Sequence, residues 1–258
     1  MLRIVSAAVM LPVVFGAVWL GGWYFGVLLA ITAGVMYWEW QAMCGETDGL
    51  AIGYALLCGA GPIALLAVGG MQFLIGLAIS VLGVFVLRKE PWRAFLAVGI
   101  GYICLACTTV VWLRGLDLIG MKTVIWLGVV VVMTDTCAYF TGRTLGGPKL
   151  APNISPKKTW SGLVGGIVGA MVAGGILAAV IEASIVNVAV VSGGLAITAQ
   201  IGDLAVSKAK RTFDIKDSGN IIPGHGGALD RFDGVLSAAI AIALLSLTAG
   251  GRSPLLWL

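Results

Sequence analysis

Long apolar runs, broken by short polar or glycine-rich intervals, recur along the whole chain. Runs of roughly 17 to 25 residues, the length that crosses ~30 Å of hydrocarbon as a helix, fall near residues 4 to 20, 23 to 43, 50 to 69, 71 to 87, 95 to 114, 123 to 141, 161 to 182, 186 to 206 and 234 to 250. Little more than Gly69, Gly70 and Met71 separates the third from the fourth. The short alternating segments of a membrane barrel are absent. The pattern therefore predicts an all-α polytopic transmembrane helical bundle of about nine spans. The first run follows Arg3 as a signal peptide would. No small-residue cleavage site follows Trp19 and Leu20, so it reads as a retained first helix.

Composition narrows the function classes. Of the 258 residues 59% are hydrophobic and only 11% charged, with mean hydropathy +1.03, whereas soluble domains carry about 25% charged residues. A water-solvated enzyme, a disordered chain and a nucleic-acid-binding globule are excluded. The 38 glycines and 9 tryptophans suit close helix approach in lipid and anchoring at its interface. Nine spans occupy roughly 180 positions and leave about 78 for loops and tails. No sizeable extramembrane domain fits, so any chemistry occurs at or in the bilayer. Gly162, Gly165, Gly166 and Gly169 form two overlapping G-x-x-x-G spacings, a weak signal for tight helix packing in so glycine-rich a chain. Cys44, Cys58, Cys104, Cys107 and Cys137 lie within or at the ends of apolar runs. They read as small packing residues rather than as a redox or zinc site, although Cys104 and Cys107 form a C-x-x-C.

Charge sets the expected orientation. With nine spans, one side receives Arg3, Arg88, Lys89, Arg93, Arg143, Lys149, Lys157, Lys158, Lys208, Lys210, Arg211, Lys216 and Arg231. Only Arg114, Lys122 and Arg252 fall on the other. The positive-inside rule then places the N-terminus and two long basic loops, 142–160 and 207–233, in the cytoplasm and the C-terminus outside.

Acidic residues are distributed less evenly still. In the first half only Glu39 approaches membrane depth, among Tyr37, Trp38 and Trp40, where an interface anchor and a functional group are equally good readings. In the second half Asp135 sits about six residues, or ~9 Å, below the end of its helix. Asp203 sits near the end of the eighth. A carboxylate at that depth costs on the order of 2.5 kcal/mol or more unless paired, hydrated or metal-bound; the alternative for Asp135 is satisfaction by Thr134 and Thr136. The stretch 207–233 mixes five cations with Asp214, Asp217, Asp230 and Asp233, against the basic bias of a plain cytoplasmic loop. It also holds the turn cluster Pro223, Gly224, His225, Gly226 and Gly227. Such glycines let backbone amides approach phosphate oxygens, Lys and Arg neutralise phosphate charge, and carboxylates near phosphates hold magnesium. A solvated, charge-balanced loop is the competing reading. Asp230 and Asp233, three apart, share a face if that turn is helical.

These residues carry a resemblance. Ser207, Lys210 and Arg211, then Lys216, Asp217 and Gly219, then Ile222, Pro223, His225, Gly226, Gly227, Asp230, Arg231 and Asp233 are similar to the signature of phosphatidate cytidylyltransferases, also called CDP-diacylglycerol synthases. Gly202, Asp203 and Leu204 fit the same pattern, as do Asp135, Thr136, Ala138, Tyr139, Gly142 and Arg143 followed by Ser155, Pro156, Lys157, Lys158, Thr159 and Trp160. The similar parts cover about 130 to 235. Ala209 and Ala228 stand where larger aliphatic residues are usual. Ser161 stands where an acid often follows the tryptophan, and is given no role.

The resemblance implies transfer of a cytidylyl group from CTP to phosphatidate, giving CDP-diacylglycerol and pyrophosphate, with Mg2+ required, at the cytoplasmic face of a bacterial inner membrane. CTP, phosphatidate and membrane lipids are the expected partners, a homodimer is a further candidate, and nucleic acid is not expected. Asp203 and Asp230 are the foremost metal ligands, with Asp233 and Asp135 next. Lys216 and Arg231, with Lys210 and Arg211, would bind the triphosphate or lipid phosphate, Lys157 and Lys158 would steer or hold one of them, and Ser207, Asp217, Gly226 and Gly227 would complete the substrate site. His225 serves equally as donor to the leaving group or as a turn stabiliser. On this reading residues 1–122 mainly embed and pack, and 123–258 carry catalysis. A CTP-dependent polyprenol or phytol kinase would share a CTP site. An ion-coupled transporter would explain intramembrane aspartates, but its inverted repeats would place them in both halves.

Overall fold

A computed structural model describes residues 2–88, 91–116, 119–221 and 226–256, with the side chains of 2–7, 9 and 71 left aside. Among the described residues nine α-helices follow the nine apolar runs: α1 Leu2–Leu20, α2 Gly22–Ala42, α3 Gly49–Val68, α4 Gly70–Leu87, α5 Arg93–Arg114, α6 Gly120–Thr144, α7 Trp160–Val180, α8 Ile185–Thr212 and α9 Leu229–Thr248. Six of them, α3 and α5 to α9, are long and apolar enough to cross a membrane. The all-α polytopic membrane fold is thus observed.

Both expected loops are shorter than the polarity pattern implied. Ser207 to Thr212 continue α8, because Lys, Ala and Arg are good helix formers and nothing breaks the turn. At 28 residues, α8 is about 42 Å long and outruns the hydrocarbon. Asp230 and Asp233 belong to α9, so the second loop is 213–228. The first loop holds an antiparallel hairpin, β1 Lys149–Ala151 and β2 Ser155–Thr159, which the helical reading did not anticipate. Its turn is a local matter: Pro152 fixes φ, and the Ile154 amide donates to Ala151 O at 3.2 Å.

The chain packs as two compact units, residues 1–115 with 212–232, and residues 116–211 with 233–258. These units cut the chain differently from the functional division drawn at residue 122, since the second loop packs with the N-terminal helices. In the first unit α2 and α3 approach so closely that a Cβ on Gly59 would lie 2.7 Å from Ala30 O. Trp40 stacks on Phe95 at 4.4 Å and donates from Nε1 to its carbonyl, while Tyr37 OH donates to Leu96 O. Phe213, at the start of the second loop, packs edge-on against both Phe95 and Trp92. Where α2 turns into α3, Arg88 donates to Glu46 at 2.7 Å and to both oxygens of Asp48 at 3.0 Å, and Asp48 caps α3 through Ala51 N. The Arg88 hydrogen bonds hold the Asp48 carboxyl below its ordinary range.

In the second unit α6 and α7 pack along the glycine stripe. A Cβ on Gly162 would meet Ala138 O at 2.9 Å and one on Gly166 would meet Thr134 O at 2.8 Å. The G-x-x-x-G spacing therefore marks a real backbone contact. Cys58, Cys104 and Cys107 are buried free thiols in the first unit, as their apolar setting implied.

Candidate active site

Thr159 organises the polar end of the second unit. It closes β2 and caps α7, its Oγ1 accepting from Gly162 N at 3.1 Å. Ser161, which had no expected role, hydrogen-bonds Thr159 Oγ1 and donates to Gly146 O, tying the hairpin to the helix it precedes. The hairpin thereby hangs its lysines over the ends of α6 and α8. Between these elements lies a cavity of about 550 Å3 lined by Asp135, Tyr139 and Arg143 of α6, Lys149, Lys157, Lys158 and Thr159 of the hairpin, Gly162 and Leu163 of α7, and Gln200 and Asp203 of α8.

Four cations against two carboxylates give this lining a net positive charge suited to a polyanion. At its heart Lys158 Nζ lies 2.6 Å from Asp203 Oδ2, with the two side chains 20% and 30% exposed. Ser207, one turn along α8, donates to Asp203 Oδ1 at 3.2 Å. Asp135 and Asp203 interact electrostatically, and both act on Asp233. Lys210, 8% exposed on the last turn of α8, opposes Asp233. Arg211 instead donates to Ile154 O at 3.4 Å, bracing the hairpin turn.

Of the expected residues in this unit, the structure brings Asp135, Lys157, Lys158 and Asp203 together around the cavity. Ser207, Lys210 and Asp233 stand behind that lining. Sequence reasoning assigned no role to Lys149, Arg143, Thr159 or Gln200. Gln200 carried a usable signal: it precedes Asp203 by three, so both share a helix face, and a polar side chain at that depth needs a reason. Its Nε2 is buried and has no hydrogen-bond partner among the described residues.

The first unit holds the remaining expected residues in the second loop. Lys216, Asp217 and Arg231 are exposed, and Gly226 takes φ +83°, where a side chain would be strained. Asp230, in the first turn of α9, accepts through Oδ2 from the amides of Ser218 at 2.8 Å and Gly227 at 3.3 Å. His225, with Ile222, Pro223 and Gly224, lies outside the described residues.

Glu39 is not an interface anchor, for it is only 2% exposed and its carboxylate is fully engaged within the protein. Oε1 accepts from Ala228 N at 2.9 Å, and Oε2 from Leu229 N at 2.9 Å and Ser218 Oγ at 3.1 Å. Tyr37 and Trp40 beside it are core residues as well.

A cavity of cations around an Asp–Lys pair, at the end of apolar helices, suits transfer of a phosphate-bearing group at a membrane surface. The model of the cytidylyltransferase family matches residues 1–248. A phosphatidate cytidylyltransferase of Brucella suis is 40% identical over 255 residues, covering 94% of this chain and 91% of its own length. Those of Rickettsia bellii and Bacillus subtilis are 49% and 44% identical over 118 and 126 residues, covering 43% and 48% of this chain and 51% and 47% of theirs. With the family's model running through all nine helices, the chain belongs to the cytidylyltransferase family.

Proposed function

We propose that the protein is a phosphatidate cytidylyltransferase that joins CTP and phosphatidate at the cytoplasmic surface of a bacterial inner membrane. The observation that carries this reading is the cavity itself, where Lys158 and Asp203 pair among Arg143, Lys149 and Lys157 at the end of apolar helices. A phosphatidate phosphate oxygen attacks the α-phosphorus of CTP, the bond from that phosphorus to the bridging oxygen breaks, and pyrophosphate leaves with the bond's electrons. A phosphate monoester is already anionic near neutral pH, so the nucleophile needs little help from a base. The difficulty is holding two anions together, which positive side chains in a partly desolvated site relieve.

We assign this role first to Lys158, on the strength of its contact with Asp203 inside the cavity. Its ammonium neutralises Asp203 in the resting site and can turn to a phosphate oxygen when substrate enters. Lys149, Lys157 and Arg143 hold the remaining phosphate charge at the rim. Lys216, Arg231, Lys210 and Arg211 are assigned to the triphosphate or the lipid phosphate, and Ser207, Asp217, Gly226 and Gly227 to shaping the substrate site.

The acidic side chains fit magnesium. Among the described residues no three His, Cys, Asp or Glu side chains converge as a ready-made metal cage. Mg2+ is commonly held by one or two carboxylates with substrate phosphates completing its octahedron, and Asp203 and Asp233, within electrostatic reach of one another, offer that donor set. Asp230, expected from the sequence as a metal ligand, has its Oδ2 engaged by two loop amides in the first unit. When bound, the ion would screen the triphosphate and stabilise the charge on the leaving pyrophosphate.

Detergent-solubilised protein should release pyrophosphate from CTP only when phosphatidate is added, lose this activity in excess EDTA, and regain it with Mg2+. Release with a polyprenol or phytol, and phosphorylation of that alcohol, would replace this reading with the lipid-kinase one.

A further inference from the structure

We propose that Glu39, on α2 and far from the signature in sequence, is a positioning residue that holds the signature loop in its working shape. The inference deepens the cytidylyltransferase reading and rests on it for its kinetic arm. The described parts of the second loop, 213–221 and 226–228, bear residues assigned to substrate and have little regular structure with which to fix them. Two carboxylates supply the order. Asp230 collects the amides of Ser218 and Gly227, while Glu39 collects the amides of Ala228 and Leu229 and the hydroxyl of Ser218. Ser218 is thus held by both, through its amide on one side and its hydroxyl on the other.

The glycines of the signature are matched to Glu39. A Cβ on Gly219 would lie 2.8 Å from Glu39 Oε1, and one on Gly227 would lie 2.7 Å from Oε2 and 2.9 Å from Gly219 N. Both positions must lack a side chain for the carboxylate to reach the amides. Glu39 also occupies the N-terminus of α9, where orphan amides and the helix dipole favour a negative charge. That charge comes from another helix rather than from the residue before α9, which is Ala228 and has no capping oxygen. Among the described residues its carboxylate accepts from two backbone amides and a serine hydroxyl, the position of a clamp that acts on reacting atoms through the loop it shapes.

The test uses Glu39→Gln and Ser218→Ala in the full-length protein, purified in detergent. Glutamine keeps the shape but turns an NH2 toward a backbone N–H, so the loop must shift. A displacement near 1 Å in a positioned group lowers turnover on the order of 100-fold. Expected for Glu39→Gln are a fall of that size in kcat per folded molecule, persisting at saturating CTP and phosphatidate, and faster hydrogen exchange confined to residues 218–229. Ser218→Ala removes one donor and leaves the amides bound, so the same two readouts should move in the same direction by about 10-fold or less. If Glu39→Gln does not fold, Ser218→Ala decides alone. Unchanged exchange at 218–229, or kcat near that of the parent in folded Glu39→Gln, overturns the proposal. Should the parent protein prove inactive on CTP and phosphatidate, the exchange arm still reports on the clamp, and the failure belongs to the assigned reaction.

Discussion

Replacing Lys158 with alanine, beside the same change at Lys157, separates two roles that their adjacency in sequence concealed. By sequence both lysines capture or hold one anionic group. The structure gives Lys158 a carboxylate partner at 2.6 Å inside the cavity and leaves Lys157 exposed at its rim. With side chains 20% and 30% exposed, the Lys158–Asp203 pair is neither a solvated surface pair nor a fully buried one. A charge-assisted hydrogen bond from Lys158 to the transferring phosphates is worth about 1.5–3 kcal/mol, so Lys158→Ala should lower kcat about 10- to 150-fold. Lys157 acts through water, where a charge contributes about 0.2–1 kcal/mol, so Lys157→Ala should raise KM by about fivefold at most and leave kcat alone. The assay is pyrophosphate release from CTP in mixed micelles, with the surface fraction of phosphatidate varied to saturation. Thermal unfolding in detergent confirms that both variants are folded. Restoration of Lys158→Ala to parental turnover at high phosphatidate would show that it too acts only in capture. Equal responses of the two variants would remove the distinction drawn from the 2.6 Å contact.

Asp203→Asn and Asp233→Asn should each abolish most turnover while remaining folded, and near-normal rates at ordinary Mg2+ in either would remove that residue from the site. Asp214 is exposed with φ +53°, a conformation asparagine also tolerates, so Asp214→Asn should match the parent in activity and melting temperature, whereas Asp214→Val should melt lower. Gly166→Ala places a methyl 2.8 Å from Thr134 O, and the forced separation of α6 and α7 should destabilise the protein by about 1–3 kcal/mol in detergent. Because Arg88 depresses the carboxyl of Asp48, the contribution of that group is full above its unfolded pKa of about 3.9 and is lost as pH falls through the lower folded value; the difference in melting temperature between the parent and Asp48→Asn should therefore shrink only in strong acid. Cysteines placed at Asn153 and Arg252, both exposed, should label from opposite faces of intact cells, and labelling from one face would refute the assigned orientation.

The helices were legible because lipid imposes one rule on every span: about 20 apolar residues with their backbone bonds satisfied internally. That rule sees an apolar run and not the helix around it. Lys208, Lys210 and Arg211 end the run near 206 and yet are good helix formers, so α8 continues to Thr212. The hairpin was hidden for a related reason. Its strands have three and five residues, too short for periodicity to register, and only Pro152 and Asn153 mark the turn between them.

For the site, the readable part was chemical type and the unreadable part was partnership. Asp135 and Asp203 stood out because an intramembrane carboxylate needs a reason. Nothing local to Asp203 shows that Lys158 meets it, 45 residues earlier in the chain and on a strand rather than a helix. Glu39 is the sharper instance. Its neighbours Tyr37, Trp38 and Trp40 have the composition of a membrane-interface belt, and an isolated α2 would be placed there on that ground. What buries it is a segment 179 to 190 residues away, whose amides at Ala228 and Leu229 and hydroxyl at Ser218 turn to its carboxylate. Buried backbone N–H groups must be paired, so a glycine-rich loop packed against helices requires an acceptor from somewhere. That requirement is implicit in the composition of 213–228, and a lone carboxylate at membrane depth elsewhere in the chain is the group that can meet it. The glycines at 219 and 227 thus have a packing reason of their own. They admit Glu39, and the loop that carries Lys216 and Asp217 and leads into Arg231 takes its shape from a helix with no place in the signature.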